Sequence, residues 1–78
     1  MAKPKIDVKV DAKGMNCPMP VLLAAEKVAD LKKGQVAEIT GTDKGMKLDF
    51  PAWCEATGNK LVSITEKQGI ITVLVKKA

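Results

Sequence analysis

The run "IITVLV", residues 70–75, limits the fold more than any other stretch of this chain. Its β-branched and aliphatic side chains favour an extended backbone and leave both faces of a strand apolar. At the rim of a sheet such a strand would be a template for aggregation, so it belongs inside one, with a neighbour on each side. The remaining residues must supply those neighbours. Ile6, Val8 and Val10 alternate with Lys5, Asp7, Lys9 and Asp11, the period-two pattern of a half-buried strand. Residues 35–40 ("QVAEIT") read as a second strand. Residues 61–66 read as a third, joined to the last, 70–76, by a tight turn around Gln68 and Gly69.

Between the strands the apolar period changes. From 18 to about 31, Val21, Ala24, Ala25, Val28 and Leu31 form one stripe of an amphipathic helix, with Glu26, Lys27 and Asp30 on the other side. Lys32 and Lys33 suit the negative end of its dipole, and Gly34 is a natural stop. The second helix is harder to bound. Pro51 fits a first turn, so the expected helix ends near 57 with Gly58 and Asn59 as C-cap residues; Asp43 and Asp49 are candidate N-caps. A longer helix starting near Lys44 would have to kink or break at Pro51.

The order β-α-β-α-β-β follows, one domain over residues 1–78, because two halves of a chain this short would each lack an interior. Right-handed crossovers put both helices on one face, giving an α+β, two-layer sandwich with a mixed four-stranded sheet and one sheet face left open. Ile70, Leu74 and Val62 are placed on that open face. The segment "MAKPKIDVKVD" has no apolar h-region, and no apolar run is long enough for a bilayer, so the expectation is a soluble, cytoplasmic protein with no membrane partner.

Composition narrows the chemistry. The chain contains no histidine and no tyrosine. Cys–His catalysis and His-ligated metals are excluded within the chain, and two cysteines alone cannot close a structural zinc site, so no metal or cofactor is expected. The net charge of +4 is scattered, and Phe50 and Trp53 are the only aromatic residues. Both facts argue against direct nucleic-acid binding through stacked bases. Cys17 and Cys54 read as two free thiols in a reducing compartment.

The stretch "GMNCPMP", residues 14–20, sets one of those thiols beside two prolines at a helix start. Cys17 is expected at the N-cap or just before it, with Pro18 at N1 and Pro20 at N3, where missing N–H groups cost nothing. The helix dipole and the free first-turn N–H groups are expected to lower the thiol pKa and make the sulfur nucleophilic, with Lys13 adding to the effect if its loop folds back. Cys54, beside Trp53, reads as a small buried residue; the alternative is a resolving thiol within disulfide reach of Cys17. Lys44, Lys47 and Lys60 are placed as possible flanks of the thiol end, and Phe50 with Trp53 as core.

The run "DAKGMNCPMP", residues 11–20, resembles the D-x-x-G-x-x-C-P-x-P signature of the TusA/SirA-like sulfur-carrier family. The later run "DFPAWCEATGN", residues 49–59, resembles that family's second segment, and the order of elements agrees over essentially the whole chain. The resemblance implies a sheet order 1-2-4-3 with strand 4 antiparallel to the rest. It also implies a persulfide on Cys17, with Pro18 and Pro20 shaping the helix start, Gly14 its loop and Asp11 the strand end before it. Partners implied are a sulfur donor, either a cysteine desulfurase or a rhodanese-like protein, and an acceptor in tRNA thiolation, cofactor biosynthesis or sulfur metabolism. Such a protein is a sulfurtransferase-type carrier rather than an independent catalyst, and presenting one thiol to two partners suits a monomer. Where the family often carries histidine after the second helix, this chain has Asn59. Two other readings remain at this point: a small nucleic-acid-binding or regulatory module, which the fold class also accommodates, and a dithiol redox protein, for which Pro20 stands where a C-x-x-C motif would need cysteine.

Overall fold

The computed structural model describes residues 5–78. Residues 1–4, which begin the segment read above as lacking an h-region, lie outside the described residues. Six elements run β1 (Val8–Ala12), α1 (Met19–Ala29), β2 (Val36–Gly41), α2 (Met46–Thr57), β3 (Lys60–Lys67) and β4 (Ile70–Lys76). The sheet order is β1-β2-β4-β3. β1 and β2 are parallel, while β4 runs antiparallel to both its neighbours, so the doubly apolar "IITVLV" is an interior strand. Among the described residues no helix is long and apolar enough to cross a membrane.

Period-two burial sorts the sheet into its two faces. Val10 and Ala12 of β1, Ala37 and Ile39 of β2, and Ile71, Val73 and Val75 of β4 face the helices and are buried. Lys9, Glu38 and Leu74 occupy the other face, and Ile70 and Val62 are partly exposed, as the alternation requires. A bulge between Leu61 and Ser63 restores that alternation along β3 by inserting Val62. Gln68 and Gly69 both have positive φ, 53° and 79°, the backbone that a two-residue hairpin matching the sheet twist requires.

α1 buries Pro20, Ala24 and Val28 against the sheet, while Val21, Ala25 and Leu31 are only partly covered. Its first helical residue is Met19, so Pro18 is the N-cap and Pro20 sits at N2, one position earlier in the helix than expected. The helix closes at Asp30, before Leu31 and the lysines.

α2 corrects the expectation of a short helix beginning near Pro51. It starts five residues earlier, at Met46, and keeps Pro51 inside. The reason is the stripe formed by Met46, Phe50 and Cys54, four residues apart, all of them buried. An interior proline costs about 3 kcal/mol, whereas burying side chains the size of Met46 and Phe50 contributes about 1.5–3 kcal/mol each, so tertiary packing wins. Gly41 makes the packing possible: the Met46 sulfur occupies the space that a Cβ at 41 would need. Phe50 and Trp53 meet edge-on at 6.1 Å and 86°, with Phe50 fully buried and Trp53 at the margin of the core. Gly58, at φ 81°, ends the helix in the left-handed conformation. Neither Asp43 nor Asp49 is an N-cap; Gly45 holds that position without a side-chain cap.

Candidate functional site

Parallel pairing of β1 with β2 matches Ala12 to Gly41, so the loops leaving both strands emerge at the same edge of the sheet. That register decides which side chains meet. After β1 the chain turns at Gly14, whose φ of +84° is left-handed and whose N–H donates to Thr42 Oγ1 at 3.0 Å. Met15 N–H closes this turn on the Ala12 carbonyl at 3.1 Å, and Met19 N–H closes the next on Asn16 at 2.9 Å. Cys17 lies in the second turn, partly exposed, and its peptide bond to Pro18 is cis.

Asp43 ties this loop to the start of α2. One carboxylate oxygen, Oδ2, accepts the Cys17 N–H at 2.7 Å, and the other, Oδ1, accepts the Gly45 N–H at 2.8 Å. These two backbone donors hold the Asp43 carboxyl below the usual carboxylate range, the bond from Cys17 contributing more. A third anchor closes the same end: Lys47 forms an ion pair with Glu66 of β3 and draws its carboxyl downward as well.

The charge around the sulfur overturns one expectation. Helix position alone predicts a lowered thiol pKa, yet the Cys17 thiol is pushed up to about 12. The Asp49 carboxylate, an acceptor that favours the protonated thiol, is the largest cause; desolvation and the negative charges of Asp49 and Asp43 act in the same direction. Two nearby carboxylates outweigh the partial charge of a short helix end. Lys13 does not counter them, since its ammonium group pairs with Asp11 Oδ1 at 3.8 Å.

The remaining expected site residues separate into near and remote. Pro18 and Pro20 both follow Cys17, Pro20 fully buried and Pro18 exposed. Asp11 is exposed and its Oδ1 accepts the Lys13 N–H at 3.0 Å, so it shapes the turn without touching the thiol. Lys60 corrects the expectation that it flanks the sulfur. It lies at the far edge of the sheet, with Lys5, Lys33 and Lys76 around an open groove of about 660 Å³. Asn59 is at that far end too, where its side chain bonds Thr57 Oγ1 at 3.0 Å and accepts the Ala78 N–H at 2.9 Å. Cys54 is buried, and both cysteines are free. Cys54 stands nine residues beyond Gly45, roughly 13 Å along the α2 axis from the N–H that shares Asp43 with Cys17, and no disulfide joins the two cysteines.

Residues missed as site members are Thr42, Asp43, Gly45 and Asp49. The available signal was topological: in a parallel β1-β2 pair, the residues just after β2 must lie beside the loop just after β1. Among the described residues no group of three His, Cys, Asp or Glu side chains is arranged to hold a metal ion.

Large apolar side chains are exposed at this same end. Met19 and Leu22, in the first turn of α1, are 51% and 56% exposed, and Leu48, in the first turn of α2, is 78% exposed. A partly exposed sulfur thus lies between two helix starts, with exposed apolar side chains at the same end.

Comparison with known proteins identifies the family. Residues 8–77 match the family "Sulfurtransferase TusA". The chain is 39% identical over 72 residues to the sulfur carrier protein TusA of Allochromatium vinosum, covering 92% of this chain and 95% of that protein. It is 37% identical over 73 residues to the putative sulfur carrier protein YrkI of Bacillus subtilis, covering 94% and 97%. Against the putative sulfur carrier protein YrkF of the same organism it is 43% identical over 67 residues, spanning 86% of this chain but only 36% of that longer protein. The crystal structure of a SirA-like protein from Desulfitobacterium hafniense superposes with a TM-score of 0.79 at 27% identity, covering 88% of this chain and 95% of that one. The chain therefore belongs to the sulfurtransferase TusA family.

Proposed function

We propose that this protein is a sulfur carrier that holds sulfane sulfur as a persulfide on Cys17 and passes it between a donor protein and an acceptor protein. The observation that carries this reading is the placement of Cys17. It is the partly exposed thiol, held at the meeting point of two helix starts, in a chain whose relatives are named sulfur carriers. Cysteine desulfurases and rhodanese-like proteins have the right chemistry as donors. Acceptors in tRNA thiolation, cofactor biosynthesis or sulfur metabolism have it on the receiving side.

The chemistry balances without metal or external redox agent. The Cys17 sulfur attacks the outer sulfur of a donor persulfide; a new S–S bond forms as the donor's own breaks. The donor leaves as a thiolate and collects the proton that Cys17 gives up, so oxidised sulfane sulfur moves with no net electron transfer. Handing it on repeats the step with Cys17 as the leaving group. At rest the carboxylates of Asp49 and Asp43 keep Cys17 protonated, so the step needs a docked partner whose cationic groups offset them. The exposed Met19, Leu22 and Leu48 give such a partner an apolar footing.

Sulfur loading tests the reading. The protein is incubated with a persulfidated donor and its intact mass recorded under non-reducing conditions. Wild type gains one sulfur atom and Cys17→Ser gains none. A wild type that never loads, or a Cys17→Ser variant that loads equally, sinks the proposal.

A further inference from the structure

Gly45 is the N-cap of α2, with φ −59° and ψ −20°, an ordinary right-handed helical backbone. That conformation does not require glycine, since every L-residue adopts it, although an N-cap favours glycine over alanine. What asks for glycine is the neighbour. A Cβ built at 45 would lie 2.8 Å from Cys17 Sγ, 3.5 Å from Cys17 Cβ and 3.2 Å from Asp43 Oδ1. The first of these is closer than real carbon and sulfur atoms approach, so the two cannot share the space. By contrast, Gly14, Gly34, Gly58 and Gly69 have positive φ and nothing near the missing Cβ. Those four are glycine for the backbone; Gly45 is glycine for a side chain in another segment.

We propose that Gly45 is a positioning residue for the reacting sulfur: its missing Cβ is the seat in which Cys17 Sγ rests against the start of α2, and any side chain at 45 turns the sulfur out toward solvent. The proposal rests on the carrier reading for its purpose, because a sulfur that must travel to a partner needs a defined resting place to leave. The seat is fixed from below by Asp43, whose two oxygens hold the backbone N–H groups of Cys17 and Gly45 together. The titratable groups facing the seated sulfur are the carboxylates of Asp43 and Asp49. A sulfur expelled from the seat moves away from both and ionises more readily.

Two measurements on the whole protein test this, and neither uses a sulfur donor. The first is the rate at which Cys17 is alkylated by iodoacetamide at pH 8, resolved from Cys54 by peptide mass. Gly45→Ala raises that rate about tenfold, the effect of one unit of thiol pKa. The second is a double-mutant cycle on the thermal midpoint. Gly45→Ala is more favourable in a Cys17→Ala background, where no sulfur opposes the new methyl group, than in wild type, by about 4 °C. An alkylation rate that is unchanged or lower, or equal thermal shifts in the two backgrounds, overturns the proposal. Because loading and seating are read separately, loss of one reading leaves the other standing.

Discussion

Cys17 and Cys54 are both free, and both thiols are held toward the protonated form, but by different means. Burial does it for Cys54, on the core side of α2 in the same buried stripe as Met46 and Phe50. For Cys17 it is first the Asp49 carboxylate acting as a hydrogen-bond acceptor, then desolvation, then the charges of Asp49 and Asp43, at a position water reaches. Desolvation can be undone only by opening the fold. Charge can be undone by bringing a cation alongside. The comparison teaches how a small domain keeps two thiols unreactive yet leaves one available: it silences one with structure and the other with neighbours that a partner can neutralise.

The sharpest way to break the comparison is to compare access. In native protein, iodoacetamide modifies Cys54 about a hundredfold more slowly than Cys17, because Cys54 reacts only through opening that costs about 7 kcal/mol, which exceeds the roughly thousandfold loss of thiolate that the raised pKa imposes on Cys17. The gap closes in denaturant. Comparable native rates, read by peptide mass, would remove the distinction. A smaller effect separates structure from chemistry. Cys54→Ser buries a hydroxyl in an apolar layer and lowers unfolding stability by about 1–3 kcal/mol in urea melts, with sulfur loading retained. Cys17→Ser changes stability by about 0.5 kcal/mol or less and abolishes loading. If the two variants cost the same, the core role of Cys54 is wrong.

The smallest effect concerns charge alone. Asp49→Asn removes the largest cause of the raised Cys17 pKa, and since a negative neighbour disfavours the thiolate, its removal favours it. Alkylation of Cys17 at fixed alkaline pH then rises by about tenfold, one unit of pKa, while Cys54 keeps its native rate. A slower Cys17 would show that Asp49 works by placing the sulfur rather than by opposing its charge.

Local pattern carried most of the architecture. The alternation of Ile6, Val8 and Val10, the helical stripe beginning at Val21, the turn at Gln68 and Gly69 and the doubly apolar residues 70–75 each describe an element whose form depends on neighbours in sequence. The TusA/SirA-like motif pointed to Cys17 as the candidate thiol. Where local reading failed, it failed for a nonlocal reason. Pro51 is a helix breaker by its own chemistry, and only the packing of Met46 over Gly41 and of Phe50 in the core carries the helix through it. Lys60 belongs to the far end of the molecule because its strand begins where the helices finish.

The electrostatics of the site divide the same way. From Cys17, Pro18 and Pro20 alone the physical expectation is a thiol facing a helix dipole, and the helix start is indeed there. Asp43 and Asp49 lie 26 and 32 residues further along, and nothing local announces that they meet the sulfur. The amino-acid sequence by itself determined the elements, their order and the family, and marked Cys17 as the candidate thiol, because periodicity and motif spacing are properties of contiguous residues. The tertiary structure alone decided the state of that thiol, because parallel pairing of β1 with β2 brings distant carboxylates and one glycine to the sulfur, and charge and contact act across space.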